Sequence, residues 1–236
     1  MSDKSQMRII TQDPDYIYLK VTTNVYYNPT QTTLYDNDIK NLVLQKISSY
    51  SSQYLERFNS NFRYSRFTSV IDSTESSVIS NQTNVLLEKR LYPLINYNTS
   101  ISFTFNNSAD IEAVDPTIGY MPYTAFSDEP VISSSAFTYI TKSGIEYPLC
   151  YIRDDNTGTL IVYKDINGIF TVIDNNLGTI NYSTGTINIS AFTTSYYDQF
   201  VSIYMKPMNK DVTVNKTKIL LVDVNDVTIN TIGASS

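Results

Sequence analysis

The sequence contains few side chains placed to do chemistry. Its 236 residues include no histidine, so Ser-His-Asp and Cys-His nucleophile arrangements are impossible and the commonest general base is missing. Two acidic pairs remain, Asp128-Glu129 and Asp154-Asp155. Such a pair could divide acid and base roles in glycoside hydrolysis, but both lie in turn-like contexts where carboxylates are solvated or cap the turn. Arg153 to Gly158 (RDDNTG) gathers oxygen ligands beside a glycine, yet it lacks the alternating spacing and distal glutamate of a calcium-binding EF-hand loop. A turn whose Asp and Asn side chains bond their own backbone accounts for it better. Cys150 is the one cysteine, which leaves no ligand set for zinc. Its surroundings, PLCYI, read as a strand with the thiol buried as a small hydrophobe. No glycine-rich loop leads from a strand into a helix, so no phosphate cradle is present. The residues point to no enzyme, no cofactor, no metal and no small-molecule substrate.

What the chain does offer is aromatic surface, with 20 Tyr and 10 Phe but no Trp. Many of these rings alternate within strands and belong to the core. Two clusters stand apart, Tyr120, Met121, Tyr123 and Phe126 in one, and Tyr196, Tyr197 and Phe200 in the other. Tyr, Phe and Met are enriched where proteins meet proteins, so these seven are the candidate interface residues. A tyrosine-rich β surface also allows a second reading, a glycan-binding adhesin, although Trp, the preferred sugar platform, is absent. The net charge of −6 and pI of about 4.6 come without a Lys/Arg run, which argues against nucleic acid. No apolar run reaches the ~18 residues of a membrane span. The start, MSDKSQMR, has no signal-peptide core, so a soluble protein made in the cytosol is expected.

The elements that must position these residues divide into two units, about 1–98 and 99–236. In the first, DYIYLKVTTNVYYN alternates with apolar groups on both faces, which predicts a strand inside a sheet. Ile39, Leu42, Val43, Ile47, Tyr50, Tyr54 and Phe58 form the stripe of a long amphipathic helix, with Asp36 and Asp38 as N-cap and first-turn acid. A second short helix capped by Ser65 and a returning strand from Val78 to Leu91 follow, closing at Pro93. The second unit opens with a half-buried strand carrying Ile101, Phe103 and Phe105. Residues 109–130, broken by Pro116, Gly119, Pro122 and Pro130, predict a long loop. Strand then follows strand, with a hairpin at LGTINY-STGTINIS. The turn from Asp223 to Asp226 calls for nothing beyond turn chemistry. The predicted class is α+β, a strand–helix–helix–strand unit followed by a mostly antiparallel β unit of sandwich or barrel-like form.

Six stretches in order carry a resemblance: DYIYLKVTTNVYYNP; the helical region ending YLERFNSNFRYSRFTSVIDSTESSVISNQTNVLLEKRLYP; ISSSAFTY; RDDNTGTLIVYK; LGTINYSTGTINI; and YMKPMNKDVTVNKTKILLVD. Together, from about Asp15 to Val224, they resemble the C-terminal part of the baseplate wedge subunit of T-even-type contractile-tailed bacteriophages, within the J-like baseplate proteins. The resemblance implies a structural virion protein of the tail baseplate, synthesised in the host cytoplasm. It implies partners in a second copy of the chain (a homodimer) and in other wedge proteins, in a ring that surrounds the hub and serves sheath contraction. Full-length relatives are much longer. The N-terminal region that intertwines with other subunits has no counterpart here, so its contacts are not carried over.

Overall fold

The computed structural model describes residues 15–111, 130–167 and 169–234. Alternation builds strand β1 (Asp15–Tyr27), with Ile17, Leu19, Val21, Thr23, Val25 and Tyr27 buried and the intervening side chains half-buried or exposed. Helix α1 (Asp36–Tyr50) follows. The expected acids occupy its first turn, but Tyr35 is the N-cap residue. The Asp38 carboxylate accepts from the Tyr35 N–H at 3.0 Å, while Asp36 accepts from the Tyr27 hydroxyl and pins the helix start to the end of β1. Ile39, Val43, Ile47 and Tyr50 are buried as the stripe predicts. The stripe then changes register, because Ser51–Leu55 form a π-helical turn. Its wider winding carries Leu55 into the core and leaves Phe58 52% exposed. The predicted helical face therefore ends short of Phe58.

After β2 (Asn61–Phe62) comes α2 (Tyr64–Asp72). Ser65 lies within this helix rather than capping it. The free amide at its start is met from far along the chain: Asp211 accepts from the Tyr64 N–H at 2.8 Å and from Arg63 at 2.8 Å. Then come β3 (Val78–Leu91), β4 (Thr99–Thr104), β5 (Ile132–Ser134), β6 (Phe137–Ile140), β7 (Glu146–Asp154) and β8 (Thr159–Ile166). They are followed by β9 (Ile169–Asn181), β10 (Thr186–Phe192), β11 (Thr194–Tyr197), β12 (Val201–Met205) and β13 (Val212–Thr213). β14 (Lys218–Leu221) and β15 (Thr228–Gly233) flank a 3-10 turn at Val224–Asp226.

The architecture is α+β and dominated by strands, as expected. Among the described residues, thirteen strands join one mixed sheet whose main path runs β14-β1-β3-β12-β5-β7-β8-β9-β10-β4, while β2 and β13 form a separate ladder. β1 is interior: β3 pairs antiparallel along one side, and β14 then β15 pair parallel along the other. The sheet is thus continuous across residue 98, since β1 and β3 bond directly to strands from the C-terminal half. The expected β9–β10 hairpin is present, with Gly185 at φ 63° in its turn. Gly178 faces Ile189 so closely that a Cβ there would stand 2.1 Å from the Asn188 carbonyl oxygen. Two aromatic centres anchor the core, Tyr50, Phe62 and Phe67 beneath the helices and Phe137, Tyr139 and Phe192 in the β half.

Asp211→Ala will remove the remote cap of α2 and lower stability by about 1 kcal/mol in urea denaturation at pH 7. Hydrogen bonds from Arg63 and the Tyr64 N–H hold the Asp211 carboxyl below its ordinary value of 3.8. Its contribution is therefore full above that value and is lost as pH falls through the depressed one. The difference between wild type and variant closes in that acid range.

Candidate protein interface

β3 stops at Leu91 because Pro93 follows, and proline has no N–H for a sheet and keeps the preceding residue extended. The chain then turns, with the Tyr97 N–H on the Leu94 carbonyl at 3.2 Å and Asn96 at φ 62°, a left-handed position that asparagine tolerates. This turn is fastened to β11 and the residues after it. The Asn96 N–H donates to the Thr194 carbonyl at 2.8 Å, and the Tyr197 hydroxyl donates to the Pro93 carbonyl at 2.8 Å. Tyr92 meets Phe200 edge-on with centroids 6.1 Å apart. The resulting corner holds apolar side chains in water: Tyr92 is 66% exposed, Leu94 68%, Tyr97 67% and Tyr196 65%. Covering apolar surface concentrated in this way is favourable by about 25 cal/mol per Å².

Among the sequence candidates, Tyr196, Tyr197 and Phe200 come together at this corner. Tyr196 faces solvent, while Tyr197 and Phe200 are half-buried and hold the corner in place. Tyr120, Met121, Tyr123 and Phe126, the acidic pair Asp128-Glu129 and most of the predicted 109–130 loop lie outside the described residues. Tyr92, Leu94, Ile95 and Tyr97 were missed by sequence reasoning. The signal was LYPLINY, an apolar run behind a proline that cannot continue the strand.

Beneath the corner sits Arg90, whose side chain is 9% exposed. Each of its three nitrogens meets a carboxylate: Nε to Glu88 at 3.2 Å, Nη1 to Asp223 at 2.8 Å and Nη2 to Asp226 at 2.5 Å. The two faces of the guanidinium are covered by the rings of Tyr18 at 3.8 Å and Phe200 at 4.3 Å, a favourable placement for a cation. Glu88 is buried and also accepts from the Ser202 hydroxyl at 2.5 Å; Lys20 reaches Asp226 at 3.4 Å. Burial alone would lower the Arg90 pKa, but hydrogen bonds to Asp223 and Glu88 drive it further up. Partial burial works against the charge on Asp223, yet the bond from Arg90 holds its pKa below the usual range. The Asp223–Asp226 turn, read from sequence as needing no explanation, supplies two of the three carboxylates that Arg90 meets, those on Nη1 and Nη2.

The acidic pair Asp154-Asp155 does structural work. Asp154 is fully buried and accepts from the Ile132 N–H and the Tyr182 hydroxyl, both at 2.8 Å. Asp155 accepts from the Thr157 and Thr159 N–H groups at 2.8 and 2.9 Å, the self-bonded turn expected of RDDNTG. Cys150 is buried, and that burial pushes its thiol pKa up. Among the described residues no helix is long and apolar enough to cross a membrane.

Residues 15–90 match the family described as "Baseplate structural protein gp6, C-terminal domain III". The resemblance read from this stretch, which holds β1 to β3, α1 and α2 and ends at Arg90, is borne out by that match. A search of curated proteins returns no match.

Asp154→Ala will strip the acceptor from two buried donors and lower stability by about 2–3 kcal/mol in chemical denaturation. Asp155→Ala, acting on a surface turn, will cost about 1 kcal/mol or less.

Proposed function

With residues 15–90 a gp6-type C-terminal domain III of a baseplate structural protein, we propose that the chain serves as a wedge subunit of a phage tail baseplate. In this reading it associates with a second copy and with neighbouring wedge proteins to build the ring around the central hub, and it supports sheath contraction. The mainly β unit of residues 99–236, sandwich or barrel-like in this reading, contributes Tyr196, Tyr197 and Phe200 to the contact surface. The family match carries the proposal. The exposed corner of Tyr92, Leu94, Tyr97 and Tyr196 supports it, because a scaffold protein works through apolar surfaces that another subunit covers.

Sedimentation equilibrium over a concentration series tests this directly. A reversible dimer is expected, and Leu94→Ser and Tyr196→Ser will each weaken it about tenfold or more. Both will leave monomer stability within about 0.5 kcal/mol, as exposed substitutions do. A strict monomer at high concentration that binds glycans on an array would support the adhesin reading instead.

A further inference from the structure

The C-terminal segment, residues 218–233, is held by the edge of β1, by packing of β15 on α1 and by the buried side chains of Leu220, Val222 and Ile229. β14 and β15 add in parallel to the free side of β1, and within β15 only Ile229 is buried. Between the two strands, the 3-10 turn places Asp223 and Asp226 on Nη1 and Nη2 of Arg90. The opposite face of the same guanidinium plane carries Phe200, and Phe200 in turn carries Tyr92 at the exposed corner. One planar cation therefore contacts both the turn of the C-terminal segment and the aromatic support of the surface corner.

We propose that Arg90 is a latch that couples the exposed Tyr92–Phe200 corner to the docking of the C-terminal segment, so that displacing Phe200 loosens the 3-10 turn and β15. The physical basis is shared geometry. Phe200 and Tyr18 flank the guanidinium, and held between them it reaches the two carboxylates of the turn with Nη1 and Nη2. A guanidinium freed on one face can tilt, and its in-plane bonds to Asp223 and Asp226 lengthen together. Lysine cannot substitute, because it lacks both the planar fork and the stacking face. The other charged and titratable groups around the cluster are Glu88 and Lys20, with Tyr204 on β12. Asp15 holds Lys89 and Lys218 in a separate set of ion pairs at the start of β14. Those pairs fix the start of the segment, and Arg90 fixes the turn that leads into β15. The inference does not depend on the baseplate reading and is tested on the isolated full chain.

Hydrogen exchange on the wild-type chain and on Phe200→Leu, Asp223→Asn, their double variant and Arg90→Lys separates the outcomes. Each single variant is expected to speed exchange of the amides in 222–232 about tenfold, the scale of a desolvated cation–aromatic contact. Amides of β8, β9 and β10 serve as the internal reference and are expected to be unchanged. The double variant is expected to add little to either single one, as two groups acting through one guanidinium require. Uniform acceleration across reference and segment, no acceleration at 222–232, or a double variant whose effect is the product of the singles would each overturn the latch. If Phe200→Leu fails to fold, Phe200→Met takes its place in the same comparison, because Phe200 is the group through which the corner reaches Arg90.

Discussion

One guanidinium lies where β1, β3, β12 and the C-terminal turn converge, and the structure depends on keeping it satisfied. Glu88 is almost fully buried, and a buried carboxylate without a partner costs several kcal/mol. Arg90 meets that requirement and is met in turn by Asp223, Asp226, Tyr18 and Phe200. An apolar core of equal volume could match such a cluster in stability. What the cluster adds is alignment. A one-residue slip of a strand exchanges its two faces, and only one register of β3 against β1 and β12 brings Glu88, Tyr18 and Ser202 to the same point.

The same logic recurs wherever the two halves of the chain meet. The start of α2 is completed by Asp211. The π-helical turn at the end of α1 buries the Ser51 hydroxyl, which accepts from the Val222 N–H at 3.0 Å. In each case a backbone group that its own element leaves free finds a polar side chain from a distant part of the sequence. The apolar centres supply the bulk of the driving force, and these polar contacts decide which surfaces face each other. The exposed corner sits directly on this framework, which keeps Tyr92 and Phe200 in fixed positions at the surface.

Much of the fold is written in local periodicity. β1 and β3 appear where alternation places them, α1 begins at its acids, and the β9–β10 hairpin follows from its glycine turn. What escaped was long-range or depended on a defect. The helical stripe ran on to Phe58 in the sequence, but a π turn, which no 3.6-residue period encodes, moved Leu55 inward instead. Ser65 was a plausible cap by residue type, and Asp211 prevailed because tertiary packing brought it to the helix start. Of the residues at the exposed corner, Tyr196 was legible as an exposed aromatic. Tyr92, Leu94 and Tyr97 were hidden, because an apolar run after a strand reads as more core. Asp223 and Asp226 looked like ordinary turn acids, since their partner lies 133 and 136 residues away.

The parallel pairing of β1 with β14 and β15 sets an order of events during synthesis. Asp15 pairs with Lys218 and Tyr27 with Gly233, so one full side of the first strand waits for the last residues to be made. A ribosome adding residues at roughly 5–20 per second keeps that edge open for about ten seconds or more. Contacts of such long sequence separation also slow folding itself. The nascent chain therefore carries an unfilled strand edge beside α1 until residues 218–233 are made, and that edge is the place where a chaperone or a second nascent copy would find it.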